Sequence, residues 1–479
     1  MQKKQTKIIC TIAHNHCDRA FIQELFDAGM NVARFNTAHI SVEEAETMLA
    51  TIRSVSDGIG VLIDTKGPEV RTCEMAAELD VLTGDIVHIG DKTVPENGFK
   101  VNYDEFVREV PVGSAILIDD GEIHLSVQGK TGKELICRAE NNGFIKNRKS
   151  VNVPDVELDL PSLTEKDAEF IDWATRSEIE FIAHSFVRSR DDVMAIQSIL
   201  NMRKSPVKII AKIENREGVD NLESILDVAH GAMIARGDLG IEIPAEEVPI
   251  IQKLMIKTCI RRVKPVITAT QMLHSMIDNP RATRAEVSDV ANAIYDGTDA
   301  VMLSGETAYG KYPVEAVTTM AEIARKVEAQ KNMLAETLPV VQQAGELMAR
   351  NHLAKSAVDM AAALPAKAIV TSTKTGDTAQ ICASYRGKTP IYALSANART
   401  VRELSLSYGV YAEHIAVPQT TDELVKVALR QLIDEKLIEI DDLIVFIGGG
   451  HIYSAHTNFL QVDTPATLMK QGVATGGND

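Results

Sequence analysis

Residues 207–240 read VKIIAKIENREGVDNLESILDVAHGAMIARGDLG, and their pattern decides the fold. A β-branched apolar run ends in Lys212-Ile213-Glu214, an amphipathic segment follows, and a second apolar run from Ala232 to Ala235 ends in Arg236-Gly237-Asp238. This reads as strand, helix, strand, with charge delivered at the carboxyl end of each strand. In parallel α/β sheets and barrels that edge is where loops converge on one crevice and where chemistry is placed.

The charges are of particular kinds. Glu214 and Asp238 offer hard carboxylate oxygens suited to Mg²⁺, which binds one or two carboxylates and fills its shell with water and substrate oxygens. Lys212 and Glu214 are two residues apart, so strand alternation puts both on one face. A lysine beside two such carboxylates points to an anionic substrate, most simply a phosphate. A lone K-x-E also reads as a buried ion pair of a barrel; the second charged strand end favours a site.

Outward from this stretch the rhythm repeats. Toward the N-terminus a strand spans Thr6 to Ile12, and a helix runs from Asp18 to Ala28 before Gly29. The run NVARFN ends in Arg34 and Asn36, a capping box Ser41-x-x-Glu44 opens a helix, and GVLIDTKGP ends its strand at Asp64. From about Thr72 to Val153 the helical period gives way to short strands with turn signals, including Asp119-Asp120-Gly121 between two alternating runs. Thr164 then caps a helix, and FIAHSFV, VKIIAKIE, AMIA, PVITAT and AVMLS alternate with helical segments up to about Gln330. About eight strand–helix units result, the number that closes a (β/α)₈ TIM barrel. The expected architecture is a barrel of residues 1–71 and 154–335, an inserted all-β lid of 72–153 at its carboxyl-terminal face, and a C-terminal doubly wound α/β domain of 336–479. The last of these has strands AKAIVTS, PIYALS, GVYAEHI and DLIVFIGGG without a charged constellation at their ends, which favours regulation or assembly.

Composition agrees. The 479 residues exceed one ordinary core, and 45% hydrophobic with 24% charged residues is a globular balance. A net charge of −17 argues against a nucleic-acid surface. No apolar run approaches about 20 residues and no signal-peptide pattern opens the chain, so neither membrane span nor secretion is expected. Six scattered cysteines fit reduced thiols in a cytoplasmic protein. Cys10, His14, His16 and Cys17 lie close in sequence, but their spacing matches no zinc pattern.

The polar strand ends are Arg34 and Asn36, Asp64 to Lys66, Lys212 and Glu214, Arg236 to Asp238, Thr268 and Thr270, and Ser304 and Glu306. Six strands supply them, and all are expected to face one cavity. The segments DTKGPEVRT (64–72), KIENREG (212–218), ARGDLGIEIP (235–244), ITATQMLHSM (267–276) and TRAEVSDVANAIYDGTDAVMLSGETA (283–308) resemble the signatures of the pyruvate kinase family, and the likeness covers essentially the whole chain.

That resemblance implies phosphoryl transfer from phosphoenolpyruvate to ADP, the last step of glycolysis, followed by protonation of the enolpyruvate. It implies that Glu214 and Asp238 hold Mg²⁺ (or Mn²⁺), that Lys212 neutralises the moving phosphoryl group, and that Arg34 and Arg71 hold phosphate with forked donors. The amides of Gly237 and Asp238 would receive the substrate carboxylate. Thr270, with Ser304 and Glu306 through water, would manage the enolate proton, and Arg71 and His39 would lie on the nucleotide side. A K⁺ ion would use Asn36, Asp64 and Thr65, weakly, because Ala38 stands where the family has a serine hydroxyl. Glu69 is kept where K⁺-independent members have lysine. Ala13-His14 replaces the family's Gly-Pro, which alters part of the adenine wall. Ser372, Thr373, Lys374, Thr375, Gly376, Asp377 and Thr378 resemble a sugar-phosphate effector loop. The aromatic and basic partners of that loop are not evident near GGGHIYSAHTN (448–458), which speaks against sensitivity to fructose 1,6-bisphosphate. A homotetramer of D₂ symmetry is implied, with no nucleic-acid or membrane partner. Two other readings compete. One is an aldolase or lyase with Lys212 as Schiff base, and the other a silent metabolite sensor working through residues 371–378.

Overall fold

The computed structural model describes residues 3–75, 77–330, 346–416, 421–449 and 457–471. Eight apolar runs form the parallel strands of a closed barrel: β1 (Lys7–Thr11), β2 (Val32–Asn36), β3 (Gly60–Asp64), β4 (Phe181–His184), β5 (Lys208–Ile213), β6 (Gly231–Ala235), β7 (Val266–Ala269) and β8 (Ala300–Leu303). Each strand pairs with its neighbour in sequence, and β1 closes the ring against β8. The runs are nearly unbroken in apolar residues because a barrel strand is covered on both faces. Alternate side chains, such as Ile9, Leu62, Phe181, Ile210, Met233 and Met302, fill the interior. The others pack against the surrounding helices. The capping box expected at Ser41 forms, Thr164 caps its helix as expected and does so in a box with Asp167, and Thr283 forms a further box with Glu286.

The insertion follows β3. It is a seven-stranded sheet running from Thr72–Cys73 to Val151–Asn152, with a separate two-stranded ribbon and a core of its own around Phe99, Phe106 and Leu125. Its hairpin Ala115–Ile118/Ile123–Lys130 turns at Asp119, Asp120 and Gly121, all with positive φ, a conformation that aspartate tolerates and glycine favours.

The C-terminal sheet contains β9 (Ala368–Ser372), β10 (Ile391–Ser395), β11 (Val410–His414), β12 (Ile444–Gly448) and β13 (Phe459–Asp463), in the order β11-β10-β9-β12-β13. Alternate residues of β9 and β12 enter two different clusters, so helices cover both faces. The edge strand β13 runs antiparallel to β12 and was not expected from the sequence. The helix expected between the two strands of residues 207–240 is two pieces, Arg216–Asp220 and Leu222–Val228. The expected domain boundary at residues 335–336 and most of GGGHIYSAHTN lie outside the described residues.

The C-terminal domain seals the amino-terminal end of the barrel. Leu406 joins the interior cluster. Glu180, fully buried just before β4, accepts from the Val61 amide, from Arg53 and from Arg402 of the C-terminal domain, and Asp299 pairs with Arg386 at 2.6 Å. Beside these pairs lies a knot of buried cations. Lys7 donates to the Val410 carbonyl and sits 4.6 Å from the Tyr411 ring centre, while Lys4 donates to Thr6 and Asn31. Burial, with Lys4 adding repulsion, pushes Lys7 down to about 7 against the opposing pull of Glu328 and Asp299.

A buried ammonium held below its ordinary value weakens the fold wherever the unfolded chain carries the proton more readily. The deficit is full below pH 7 and fades as pH rises toward 10.5. Lys7→Met therefore gains stability over the native chain at pH 6, and the gain shrinks by pH 10. Chemical denaturation at several pH values measures it, and a difference that does not vary with pH would contradict the assignment.

Candidate active site

The carboxyl ends of five consecutive barrel strands, β2 to β6, assemble one row of polar groups. Arg34 ends β2 and Asp64 ends β3; the guanidinium places Nε and Nη2 on Asp64 Oδ2, each at 2.7 Å, and Nη1 on Thr11 Oγ1 at 2.8 Å. Lys212, near the end of β5, lies 3.1 Å from Asp64 Oδ1 and 3.0 Å from Glu214 Oε1. Its third partner is the Ser185 hydroxyl at 2.7 Å, immediately after β4. Glu214 Oε2 accepts the Phe186 amide at 2.7 Å; Oε1 is buried and faces Lys212 without hydrogen-bond geometry.

Electrostatics divides the carboxylates into two kinds. Burial alone would raise Asp64, which is 1% exposed, but Lys212 and Arg34 overcome it and hold this carboxyl below its usual range. Burial would likewise lower Lys212, yet Asp64 and Glu214 keep its ammonium above the ordinary lysine value. Glu214 and Asp238 move the other way. Burial pushes each up despite Lys212; Asp238 adds repulsion at Glu214, while at Asp238 the repulsion comes from Asp120 and Glu69 and a hydrogen bond with Glu214 opposes the rise. Two hard carboxylates held reluctantly charged side by side are the donor set that a divalent cation relieves. Among the described residues no third His, Cys, Asp or Glu joins them, which suits Mg²⁺ rather than an all-protein cage. Cys10 is buried within β1, and His14, His16 and Cys17 follow the end of that strand. There His16 stacks on Phe21 and His14 meets Glu44.

A cleft of about 630 Å³ adjoins this row, lined by Gly237, Asp238, Thr270, Ser304 and Glu306 together with Asp120 of the lid. The expectation that all six strand ends face one cavity is corrected in part. Thr268 is fully buried and bonded to Thr298, because it alternates with Ile267 and Ala269 of the barrel interior and so turns outward, whereas Thr270 lies past the end of the strand. Arg236 forks onto Asp289, with both contacts at 2.7 Å, and onto the Thr270 carbonyl, so it braces the loop after β7. Thr270 has φ +65°, an uncommon value for a β-branched residue. Its hydroxyl accepts the Gly237 amide at 2.7 Å. Both Glu306 oxygens accept backbone amides, from Leu273 and Ser304. Arg71 closes its fork on Glu69 at 2.6–2.8 Å, and His39 is exposed at the end of a short turn.

The residues expected for a monovalent ion are neighbours: Asn36 and Asp64 are register partners across β2 and β3, and Thr65 follows. The Ala38 carbonyl accepts Lys166 at 3.1 Å. In the C-terminal domain, Thr373 accepts the Gly376 amide, Lys374 accepts Thr400, and Thr378 bonds Thr457, so residues 372–378 form an ordered turn before the helix Asp377–Ser384 with Lys374 and Thr375 exposed. Sequence reasoning missed Ser185. Its signal was a polar residue at the end of FIAHSFV, a strand whose carboxyl end was not collected with the others.

Comparison with known proteins now decides the family. Residues 3–317 match "Pyruvate kinase, barrel domain" and residues 351–463 match "Pyruvate kinase, alpha/beta domain". The chain belongs to the pyruvate kinase family. A pyruvate kinase of Borreliella burgdorferi is 46% identical over 475 residues, covering 98% of this chain and 99% of that protein. Those of Bacillus licheniformis and Geobacillus stearothermophilus are 43% and 44% identical over 99% of this chain and 82% of their own length. Members of the family are phosphotransferases that convert phosphoenolpyruvate and ADP to pyruvate and ATP, and this chain is an enzyme of that kind.

The two kinds of carboxylate predict opposite responses. Asp64→Ala leaves Arg34 and Lys212 without their shared counter-charge and lowers stability by about 3–5 kcal/mol. Glu214→Gln relieves a crowded charge and leaves metal-free stability unchanged or higher. Denaturation in excess chelator measures both, and destabilisation of equal size would contradict the division.

Proposed function

We propose that the row Arg34, Asp64, Lys212, Glu214 and Asp238 is the phosphoryl-transfer site of this enzyme, with phosphoenolpyruvate and ADP as substrates. The observation that supports it most is the Lys212 ammonium, held charged between the Asp64 and Glu214 carboxylates and anchored by the Ser185 hydroxyl. In a loose transfer the protein's main task is to hold positive charge where negative charge passes. Glu214 and Asp238 would hold Mg²⁺ or Mn²⁺, which supplies Lewis-acid charge to substrate oxygens. Arg34 and Arg71 now fork onto carboxylates, the geometry with which guanidinium groups also receive phosphate; Arg71 and His39 would serve the nucleotide. Thr270 would hold the proton path to the enolate, with Ser304 and Glu306 bracing the loop after β7, and Gly237 and Asp238 amides would meet the substrate carboxylate once Thr270 releases the former. The Schiff-base alternative asks for a neutral amine at Lys212, which Asp64 and Glu214 disfavour.

The assembly reading is a homotetramer in the cytoplasm. Ile250 and Leu254, one turn apart on the helix Val248–Arg261, are 68% and 55% exposed, as a subunit contact would use them. Among the described residues no helix is long and apolar enough to cross a membrane. Residues 372–378 would serve an anionic effector.

Lys212→Met removes the charge needed while the phosphoryl group moves, and kcat falls by roughly 10³-fold or more with a smaller change in KM. Steady-state kinetics of pyruvate formation measures it; wild-type turnover in the variant would overturn the assignment.

K⁺ would sit among Asn36, Asp64 and Thr65, whose oxygens are neighbours across β2 and β3. When Arg34, Lys212 and Arg71 turn to substrate phosphate, Asp64 and Glu69 keep less counter-charge beside an anionic substrate, a repulsion magnified in a closed site that K⁺ would relieve. Activity therefore rises with K⁺ at fixed ionic strength against tetramethylammonium, and Ala38→Ser lowers the midpoint. Full activity without K⁺, or an unmoved midpoint, would contradict this.

A further inference from the structure

We propose that Ser185, the first residue after β4, is a positioning residue for phosphoryl transfer: its hydroxyl anchors the Lys212 ammonium and donates onward to the Thr65 carbonyl. The inference rests on the role proposed above for Lys212.

Ser185 is 2% exposed, and both its amide and its hydroxyl are hydrogen-bonded. Its amide donates to Thr65 Oγ1 at 3.0 Å. Its hydroxyl accepts from Lys212 Nζ at 2.7 Å, which leaves one proton to give; the Thr65 carbonyl at 2.7 Å is nearer than Asp64 Oδ1 at 3.2 Å. The result is a directed chain, Lys212 to Ser185 to Thr65, crossing three strands. The turn after β3 packs flush on this serine. Gly67 has φ +69°, and a Cβ there would come within 2.8 Å of Ser185 Cβ and of the Phe186 ring. The adjacent Phe186 amide holds Glu214, so the pair Ser185-Phe186 fixes both polar ends of the Lys212–Glu214 couple.

Lys212 has three oxygen neighbours: the Ser185 hydroxyl, which accepts a hydrogen bond from it, and the Asp64 and Glu214 carboxylates, its ion-pair partners. Two are carboxylates, toward either of which the flexible lysine head can swing. Glu214 is also one of the two groups proposed to hold the divalent ion, so Asp64 and Ser185 are the anchors that remain with Lys212 whatever Glu214 binds. Ser185 is the neutral one. It fixes direction without neutralising the charge that transfer requires, and misplacement of such a group by about 1 Å costs on the order of 10²-fold in rate.

The test is a cycle of variants in the full-length enzyme. Ser185→Ala is expected to lower kcat roughly 10- to 100-fold, with KM for phosphoenolpyruvate shifting less than about threefold. Deuterium exchange into the methyl group of pyruvate, which does not need phosphoryl neutralisation, stays near wild type. Ser185→Cys keeps the bulk but is a poor hydrogen-bond acceptor, and shows the same loss. In a Lys212→Met background Ser185→Ala adds nothing, because the serine acts through the lysine. The proposal is overturned by wild-type kcat in folded Ser185→Ala, by recovery in Ser185→Cys, by equal loss of transfer and exchange, or by a further loss in the double variant. Failure of the parent reading is separate: Lys212→Met would then keep wild-type turnover.

Discussion

The Asp64 carboxylate is the group on which the rest of the site depends. It is almost wholly buried, and it is stable there because Arg34 reaches it with a fork from the neighbouring β2 and Lys212 with an ammonium from β5, two strands away. Remove any of the three and a buried charge is left uncompensated, a cost larger than the pair's net gain. The triad can close only if β2 and β3 are in register and β4 separates β3 from β5 by one strand's width. Ser185 fills that gap. Barrel closure and charge balance are thus the same requirement seen at two scales.

The opposite end of the same strands is held just as firmly. Glu180 enters β4 from below, gathers Arg53 and Arg402, and accepts the amide of Val61 in β3. Leu406 fills the barrel's interior at that end. β3 and β4 therefore carry the chemistry at their carboxyl ends and the C-terminal domain at their amino ends. A short packed route also joins the turn 372–378 to this anchor, since Thr400 bonds Lys374 and lies in the same helix as Arg402. The lid hangs from the carboxyl end of β3 by residues 65–71, and its Asp120 reaches the cleft beside Asp238.

Much of this was legible in the sequence because the signals were local. Unbroken apolar runs ending in charge gave the barrel strands; Ser41, Thr164 and Thr283, each with an acid three residues on, gave helix starts; Asp119-Asp120-Gly121 gave the hairpin. The Lys212–Glu214 face followed from strand period alone, and the likeness to pyruvate kinases placed Asp238, Arg34 and Thr270. What escaped was set by contacts between distant segments. Nothing near Arg34 says that its fork rests on Asp64, and nothing near Glu306 says that its carboxylate holds two backbone amides. Thr268 was misjudged for a simpler reason: it alternates with the interior residues Ile267 and Ala269, and Thr270 escapes that alternation only because the strand has ended and its φ is +65°. β13 was missed because it pairs antiparallel with β12 at the edge of an otherwise parallel sheet.

The central claim is that this row of strand ends passes a phosphoryl group from phosphoenolpyruvate to a nucleoside diphosphate. It is tested most directly by following the phosphorus itself. In ³¹P NMR of the purified chain with phosphoenolpyruvate, ADP, Mg²⁺ and K⁺, the phosphoenolpyruvate signal should decline as the γ-phosphorus of ATP grows in equal amount, with pyruvate forming alongside. A phosphoenolpyruvate signal that persists, or one that is replaced by inorganic phosphate while ADP is unchanged, would contradict it.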